Sequence, residues 1–358
     1  MSRNLLVLFA ILFFSPVQAA VHCVSNATEF QQALDAAEAT SEADDIRLRP
    51  GTYVAPAGGF IYLNGSTEET ELRISGGWYD FFGTACGIRL DLDAFSTTLS
   101  GSNSSRVLRI RLDQATDLTV QGLTFVAGNT VSESLAQGAG LKVESFVGWT
   151  GNVNILGNAF IGNTADDFGG AISASAGGFL IINNNLFVAN QACHNGGLTL
   201  TYSSSKTAYI LNNTVLYNGI RDGCPPFSGI RSGGLRIGGT GNIVLLNNLL
   251  WGNENIDLHL DSSGIKLIAN NYETLLGTPG TGSGVNFHIE PVFRNQGFFD
   301  YQLDNHSALI DLGVMPTQNS TWQLLTHDIQ GLPRVIGERV DIGAYENQDH
   351  IFMDGFES

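Results

Sequence analysis

The amino-acid sequence predicts an all-β fold, a parallel β-helix in which short strands wind into a solenoid. Three observations carry this prediction. The 358 residues include 43 glycines and 29 asparagines, which is typical of a chain with many tight turns. Apolar residues alternate with polar ones over four or five positions, which indicates strands. The pattern also repeats along the chain with turns too short to contain crossover helices.

The repeat is clearest at residues 153–163, 180–190, 208–218 and 243–253, with a looser copy at 118–129. The closing asparagines of these units lie 34, 27, 28 and 35 residues apart. Another strand follows each of the first four units, opened by Gly138-Ala139-Gly140 in the first and by a glycine pair in the next three. Such units describe coils stacked about 4.8 Å apart. Asparagine tolerates the left-handed backbone of a corner, and stacked asparagines hydrogen-bond to one another, so we interpret these residues as structural.

The chain is expected to begin with a signal peptide, residues 1–19. Arg3 precedes an apolar run at residues 5–14, and small residues lead to a cleavage site after Ala19. Ten apolar residues are too few to span a bilayer, which takes about 20. No later segment is predicted to span a membrane. We therefore expect an exported protein, placed outside the cell, at its surface or in the periplasm.

The mature chain is expected to form one domain, residues 20–346, followed by a short tail, residues 347–358. Thr28 is predicted to cap a helix from Glu29 to about Glu38, with Phe30 and Leu34 on its apolar face. A helix at this position covers the apolar core and open strand edges that a solenoid end exposes.

Four cysteines in an exported chain favour disulfides over a zinc site. The repeat places Cys193 and Cys224 on loops of neighbouring coils, which favours that pair and leaves Cys23 with Cys86. Such a bridge either makes a nearby site rigid or holds a long loop in place.

The formal charge of −17 and the presence of only three lysines exclude a nucleic-acid-binding protein. The same charge repels acidic glycans unless Ca²⁺ or a local arginine patch intervenes. We expect a monomer whose partner is a polysaccharide or a cell-surface glycan.

Several segments resemble those of known proteins. The capping helix, the segments at 48–53 and 75–78, and the asparagine and glycine repeats resemble right-handed parallel β-helix proteins of the pectate-lyase-like superfamily. The end of the chain, about 285–346, contains motifs at 290–293, 328–334 and 341–346 that resemble bacterial choice-of-anchor Q proteins. The last eight residues resemble a tail of exported gammaproteobacterial proteins.

The resemblance implies a right-handed β-helix that is exported or bound at the cell surface. The wider superfamily contains polysaccharide lyases, glycoside hydrolases and adhesins, so fold alone does not set the function. Unlike many choice-of-anchor proteins, this sequence shows no apolar tail or sortase motif after Glu346. We therefore expect release, or recognition of the short tail by a secretion system, as alternatives to attachment.

A second repeated position predicts a candidate site. Four residues after each closing asparagine stand acidic residues or a histidine, which we call the acidic column: Glu133, Asp167, His194, Asp222 and Asp257. In stacked coils these side chains lie about 5 Å apart if the loops keep their register. The catalytic candidates are Asp167, His194 and Asp222.

Three chemistries suit this column. Paired carboxylates catalyse glycoside hydrolysis, and His194 beside a carboxylate acts as an acid or a base. Asp166 and Asp257 are candidate Ca²⁺ ligands, with an arginine or a lysine then acting as the base of an elimination, and Arg221 lies beside the column. The alternative is that polar residues simply populate solenoid corners.

Two further groups have structural and functional interpretations. The aromatic residues Trp78, Tyr79, Phe81 and Phe82 either stack on sugar rings or pack at a loop base. Asp341 and Glu346 either bind a metal or cap the last coil.

Two functions remain open from the sequence. The first is a non-catalytic, adhesin-like protein that binds glycans or cell surfaces, and the second is a polysaccharide lyase or glycoside hydrolase. Whether the protein is an enzyme is not decided by any motif.

Overall fold

Three long parallel β-sheets stack along one axis in the computed structural model, which describes residues 19–63, 71–112, 115–131, 136–145, 150–298, 300–318 and 320–349. The chain visits the first, second and third sheets in turn, once per coil. Residues 1–18 of the predicted signal peptide and residues 350–358 of the tail lie outside the described residues. The strand order confirms the parallel β-helix, and parallel connections of this kind are right-handed.

The first sheet contains nine strands: β1 (Ala20–Val24), β2 (Asp44–Leu48), β5 (Glu71–Ser75), β10 (Asp117–Gln121), β13 (Val153–Leu156), β16 (Leu180–Asn183), β20 (Thr207–Leu211), β24 (Asn242–Leu246) and β27 (Lys266–Ile268). The second contains eight: β3 (Gly51–Val54), β8 (Thr97–Ser100), β11 (Thr124–Val126), β14 (Ala159–Ile161), β17 (Leu186–Val188), β21 (Thr214–Leu216), β25 (Leu249–Trp251) and β28 (Asn271–Tyr272).

The third sheet also contains eight strands: β4 (Phe60–Leu63), β9 (Leu108–Leu112), β12 (Leu141–Ser145), β15 (Ile172–Ala176), β19 (Leu198–Tyr202), β23 (Leu235–Gly238), β26 (Leu258–Leu260) and β29 (Leu275–Leu276). Three short pairs complete the strands: antiparallel β6 (Trp78–Phe81) with β7 (Thr84–Arg89), parallel β18 (Gln191–Ala192) with β22 (Gly219–Ile220), and antiparallel β30 (Phe293–Asn295) with β31 (Asp300–Leu303). Two 3₁₀ turns lie at Ala94–Ser96 and Gln296–Phe298.

Every second side chain of the long strands points inward and forms a continuous core. Identical residues stack in this core where the strands are in register. The rings of Phe125 and Phe160 lie 4.7 Å apart, and those of Phe160 and Phe187 lie 5.2 Å apart. The alternation read from the sequence therefore sets which face of each strand is buried.

The corner asparagines form two buried ladders, as interpreted from the repeat. Asn185 is representative, because its Oδ1 accepts hydrogen bonds from the main-chain N–H of Asn158 at 2.9 Å and from Asn158 Nδ2 at 3.1 Å. Asn213 Oδ1 in turn accepts from Asn185. Each asparagine side chain thus accepts a hydrogen bond from a corner N–H group of the preceding coil. Both the buried amide and the corner backbone therefore have hydrogen-bond partners.

The N-terminal helix α1 (Ala27–Glu38) covers the first coil, as predicted. Its predicted cap is corrected by two residues. Asn26, not Thr28, is the N-cap, and its side-chain oxygen accepts a hydrogen bond from the N–H of Glu29 at 3.0 Å. Asparagine is preferred to threonine at the N-cap, so the helix begins directly after Asn26. Within the described residues, no helix is long and apolar enough to cross a membrane.

The C-terminal arm, residues 290–347, packs along the second sheet. The expectation that Asp341 and Glu346 cap the last coil is therefore corrected. Gly343 N–H donates to the carbonyl of Asn247, and Ala344 N–H donates to Thr214 Oγ1 at 2.8 Å. Outward-facing side chains of the second sheet are apolar and need cover, which explains the lateral position of the arm.

A buried arginine holds the arm together. Arg334 is 1% exposed, and its Nη1 donates to the carbonyl of Tyr345 at 2.8 Å and to Glu346 Oε2 at 3.0 Å. Burial, opposed by this arginine, raises the pKa of Glu346 to about 8. Glu346 thus has a structural role here, as a partner of the arginine.

Candidate functional site

Outward-facing side chains of the third sheet form the floor of an open groove, the third-sheet groove. Strand pairing aligns one polar residue from each of six successive coils: Arg109, Lys142, Ser173, Thr199, Arg236 and His259. At the usual strand spacing this row spans about 24 Å. A cavity of about 270 Å³ lies over its centre, where the floor carries the hydroxyl groups of Ser173 and Thr199.

One end of the groove carries a compact cluster of charges. Arg109 donates to Glu144 Oε2 at 2.8 Å, and Lys142 Nζ lies 3.5 Å from Glu144 Oε1. The Lys142 side chain is only 8% exposed, and this burial lowers its pKa. Long cationic side chains therefore lie along the floor and keep their charged ends beside the open space.

The other end carries a matching cluster. Arg236 Nε donates to Asp261 Oδ2 at 2.7 Å, and His259 Nε2 lies 3.2 Å from Asp261 Oδ1. Burial lowers the pKa of His259, and within the described residues its Nδ1 has no hydrogen-bond partner. Asp261 is thus shared between an arginine and a histidine.

The groove differs in charge from the rest of the protein. Its floor contains four cationic side chains, on Arg109, Arg111, Lys142 and Arg236, and two carboxylates, on Glu144 and Asp261, while a third carboxylate, on Asp167, lies at the rim. The whole chain has a formal charge of −17. The third sheet therefore carries a local cationic patch of the kind that an acidic glycan needs on an acidic chain.

The rim of the groove brings together two of the three catalytic candidates. His194 Nδ1–H donates to Asp167 Oδ1 at 2.7 Å, and the His194 side chain is 19% exposed. Its ring lies between those of Phe168 and Phe227, with centroid distances of 4.6 and 4.2 Å. The imidazole is thus held at one nitrogen and enclosed by two aromatic rings.

Gln137 connects this rim to the floor. Its Nε2 donates to Asp167 Oδ2 at 2.8 Å, and its Oε1 accepts from Lys142 Nζ at 3.3 Å and from Ser173 Oγ at 3.4 Å. Both oxygens of Asp167 therefore accept hydrogen bonds. The rim and the first charged cluster form one continuous polar network.

Asp222 is not part of this arrangement, which corrects the acidic column. Asn195 pairs with Ser232, so the residue stacked on His194 is Arg231. Two residues separate Ala192 from Asn195, whereas eleven separate Ile220 from Ser232. The longer loop bulges outward and leaves Asp222 exposed. Residues that lie four positions after a closing asparagine therefore do not all stack in successive coils.

The two Ca²⁺ candidates are also separated. Asp166 forms an ion pair with Arg221. Asp257 is fully buried, and its carboxylate accepts hydrogen bonds from Asn253, Glu273 and Thr274. It continues an asparagine ladder in place of a further asparagine, so it does not face solvent to bind an ion. Glu133 lies outside the described residues.

Both disulfides form as predicted, Cys193 with Cys224 and Cys23 with Cys86. The first holds the long loop after Ile220 beside the rim. That loop carries Phe227 onto the ring of His194. The bridge therefore fixes the loop and shapes the rim at the same time.

The aromatic residues 78–82 lie elsewhere, on the β6–β7 hairpin. Trp78 packs at the base, where the guanidinium of Arg47 lies 4.1 Å from its ring centroid. Phe82 at the tip is 93% exposed. Packing at a loop base thus describes Trp78 but not Phe82.

The floor of the groove was not predicted from the sequence; it includes Gln137, Lys142, Arg236 and Asp261. A signal was present, because each strand after a Gly-Gly or Gly-Ala-Gly segment of the repeat carries a polar residue one position after its first apolar one. Lys142, Ser173 and Thr199 all occupy this position. Alternation within a strand places them outward and together on one face.

Comparisons with known proteins give little further information. No family model matches the chain, and no curated protein matches it in sequence. Among solved structures, the crystal structure of pectate lyase Pel9A is similar over 87% of this chain and 90% of that chain, with 14% sequence identity and a TM-score of 0.43. At this level of similarity, nothing about the function of this chain follows from that enzyme. The choice-of-anchor Q resemblance stays a prediction.

Proposed function

We propose that this protein binds an extended acidic polysaccharide along the third-sheet groove and does not cleave it. The observation that carries the proposal is the groove itself, which is open, aromatic at its rim and locally cationic on an otherwise acidic chain. The two disulfides suit the oxidising conditions outside the cytoplasm, where such a glycan is met. Export and a surface or extracellular position belong to the same proposal.

The shape of the groove suits a polymer. Its polar row repeats once per coil over about 24 Å, so equivalent groups recur at a regular interval. Ser173 and Thr199 in the centre offer hydroxyls to sugar hydroxyls. A chain of repeating sugar units meets similar groups along its whole length.

The chemistry of the groove suits an acidic sugar. Arg236 presents a planar guanidinium that recognises carboxylates, and its carbon Cζ lies 5.1 Å from the ring centroid of Phe168. Phe168 and Phe227 provide apolar rings for the C–H faces of sugars. Carboxylate binding and ring stacking then occur on the same side of the row.

Affinity electrophoresis with polygalacturonate and with neutral dextran tests the proposal. We expect retardation by polygalacturonate only, and at least a tenfold weaker affinity in Arg236→Gln and Phe168→Ala. Arg73→Gln is the matched control, because Arg73 is also an outward-facing arginine paired with a carboxylate, that of Glu71, but lies on the first sheet. Affinity should also fall with added salt.

Equal affinity of the Arg236→Gln and Arg73→Gln variants would contradict the proposal, as would stronger binding of dextran. The thermal midpoints of all variants show whether each is folded. Because Arg236 is half-buried on the outer face of the third sheet and not in the core, its substitution should leave the fold intact.

A second function, cleavage of the same glycan, is favoured by one observation. His194 is held at Nδ1 by Asp167, and its Nε2 has no hydrogen-bond partner within the described residues. In an elimination, Nε2 takes the proton beside the uronate carboxylate, a carbon–carbon double bond forms, and the glycosidic oxygen leaves with its electron pair. Lys142 and Arg236 are the cations that would neutralise the carboxylate, in exchange for their present partners Glu144 and Asp261.

Hydrolysis by the two floor carboxylates does not fit the spacing. Glu144 and Asp261 lie four coils apart, about 19 Å at the usual strand spacing. Paired carboxylates in glycosidases are about 5–9.5 Å apart. Elimination is therefore the reaction class to test.

The cleavage test follows unsaturated uronate absorbance and reducing ends, with and without Ca²⁺. Turnover that is lost in Asp167→Asn and His194→Gln but kept in Asp222→Asn would establish a lyase and end the non-catalytic proposal. Asp222 is a suitable control because it is exposed and outside the groove. Binding without product in every variant supports a binding protein.

A further inference from the structure

A second polar cavity lies where the C-terminal arm crosses the corner between the first and second sheets. We call it the corner cavity. Its volume is about 210 Å³, and a single water needs ~10–15 Å³ of such space. It is lined by Arg89, Gln121, Gly122, Gly157, Asn184 and His327, among others, and shares no residue with the third-sheet groove.

The cavity exists because two coils use glycine at a corner where later coils use asparagine. Strand pairing stacks five corner residues in one column, all with left-handed backbone: Gly122, Gly157, Asn184, Asn212 and Asn247. A Cβ atom on Gly157 would meet nothing within 4 Å. On Gly122 it would lie 2.0 Å from Arg89 Nη2. The glycines thus leave room above the guanidinium that an asparagine would fill.

Asn184 offers an unused acceptor to this space. The residue is 1% exposed, and its Nδ2 donates to the carbonyl of His327 at 3.2 Å. Its Oδ1 is buried and has no hydrogen-bond partner within the described residues. A buried amide oxygen in this state is costly unless a ligand or a water donates to it.

Arg89 offers unused donors. Its Nε donates to the carbonyl of Gly76 at 2.8 Å, while its two terminal nitrogens make no hydrogen bond to any described residue. Burial lowers the pKa of Arg89, because the cation loses water without a hydrogen-bonded carboxylate. A guanidinium with free Nη groups recognises an anion with two oxygens.

Two other polar residues at the cavity, Asp328 and His327, are already engaged. Asp328, which also lines it, accepts hydrogen bonds at its carboxylate from the main-chain N–H groups of Gln330, Leu332 and Glu346. His327 Nδ1 lies 2.8 Å from Thr326 Oγ1. The cavity therefore offers one cationic donor, Arg89, and one buried neutral acceptor, Asn184, beside the side-chain amide of Gln121.

We propose that the corner cavity binds a hydroxycarboxylate, with its carboxylate on the Arg89 guanidinium and a hydroxyl donating to Asn184 Oδ1. This chemistry belongs to small hydroxy acids and to single uronic acid units alike. The site is independent of the groove, so the result for one leaves the other open.

Isothermal titration calorimetry of the mature protein with glucuronate and with lactate tests the site and separates its two sources. Glucose, which lacks the carboxylate, and acetate, which lacks the hydroxyl, are the controls. We expect one saturable site for glucuronate or lactate, and at least tenfold weaker binding of both controls. Preference for glucuronate would identify a sugar acid, and preference for lactate would identify a small acid.

Three variants locate the site. Gly157→Asn places the corner residue of the later coils in the cavity with a backbone that asparagine tolerates, and should abolish binding. Asn184→Gly removes the acceptor and should weaken binding at least tenfold. Asn212→Gly is the matched control, because Asn212 has the same backbone conformation and the same unpartnered Oδ1 but lies outside the cavity.

Three results would overturn the proposal. The first is no heat of binding with any of the four compounds in a folded wild-type protein. The second is binding that Gly157→Asn and Asn184→Gly leave unchanged. An equal loss in Asn212→Gly would assign the effect to the stability of the corner and would also contradict the site.

Discussion

The second and third sheets share one β-helix but have opposite outer faces. Leu186, Val188 and Leu216 point outward from the second sheet and are buried beneath the C-terminal arm. On the third sheet the outward positions carry polar residues such as Thr201 and Arg236 and stay open. Apolar residues at alternate positions of the strands thus build the core of the solenoid in both sheets. The polarity of the outward-facing side chains decides which sheet is covered by the arm and which stays open to a ligand.

The largest expected difference comes from placing the same polar residue on both faces. Leu216→Asn should lower the free energy of unfolding by about 3–5 kcal/mol, because apolar contacts are lost and an amide is buried beneath the arm. Thr201→Asn should cost less than about 1 kcal/mol, since Thr201 is exposed. Urea unfolding measures the free energy of unfolding of both variants. Equal losses would show that the outer faces of the two sheets do not differ in their tolerance of a polar residue.

A smaller difference should come from removing one hydroxyl. Thr214 Oγ1 is buried and accepts the hydrogen bond from Ala344 N–H at 2.8 Å. Thr214→Val leaves that N–H without a partner and should cost about 1–3 kcal/mol. Thr201→Val on the open face should change stability by less than about 0.5 kcal/mol. If hydrogen exchange at Ala344 stays slow in Thr214→Val, the contact does not hold the arm.

A further expected effect is a dependence of the arm on pH. Burial raises the pKa values of Asp328, Asp341 and Glu346, the last to about 8. The folded state therefore keeps a proton that the unfolded state releases, so the contribution of Glu346 to stability falls as pH rises from about 4.5 to 8. The slope due to one such group is at most about 1.4 kcal/mol per pH unit.

Glu346→Gln isolates this group, because glutamine does not titrate in this range. The readout is the slope of stability against pH between 5 and 8, which should be flatter in the variant than in the wild type. Absolute stability is not the readout, since the variant also weakens the contact with Arg334. A variant with the wild-type slope would contradict the raised pKa.

Much of the fold was predictable because its determinants are local and periodic. Alternation placed Phe125, Phe160 and Phe187 in the core, and the closing asparagines stack as ladders. The pairing of Cys193 with Cys224 followed from the same register. These features repeat at nearly every coil, so a single sequence contains several copies of the same signal.

The candidate site was only half predictable. Asp167 and His194 meet because the loops of their two coils have equal length, and both lie between paired positions. Asp222 fails because the next loop is longer and leaves the stack, so that Arg231 takes the neighbouring position. Counting residues from the strand before a loop predicts which side chains stack only where the loops of neighbouring coils have equal length.

By itself, the sequence determined the coil, the ladders, the capping helix and both disulfides, because each depends on residues at short or repeated spacing. Only the tertiary structure decided where the C-terminal arm docks, which residues line the groove and that a cavity forms at the corner above Arg89. These features depend on contacts between segments far apart in the chain. Asn184 and His327, for example, meet across 143 residues, a distance at which no periodic pattern specifies a partner.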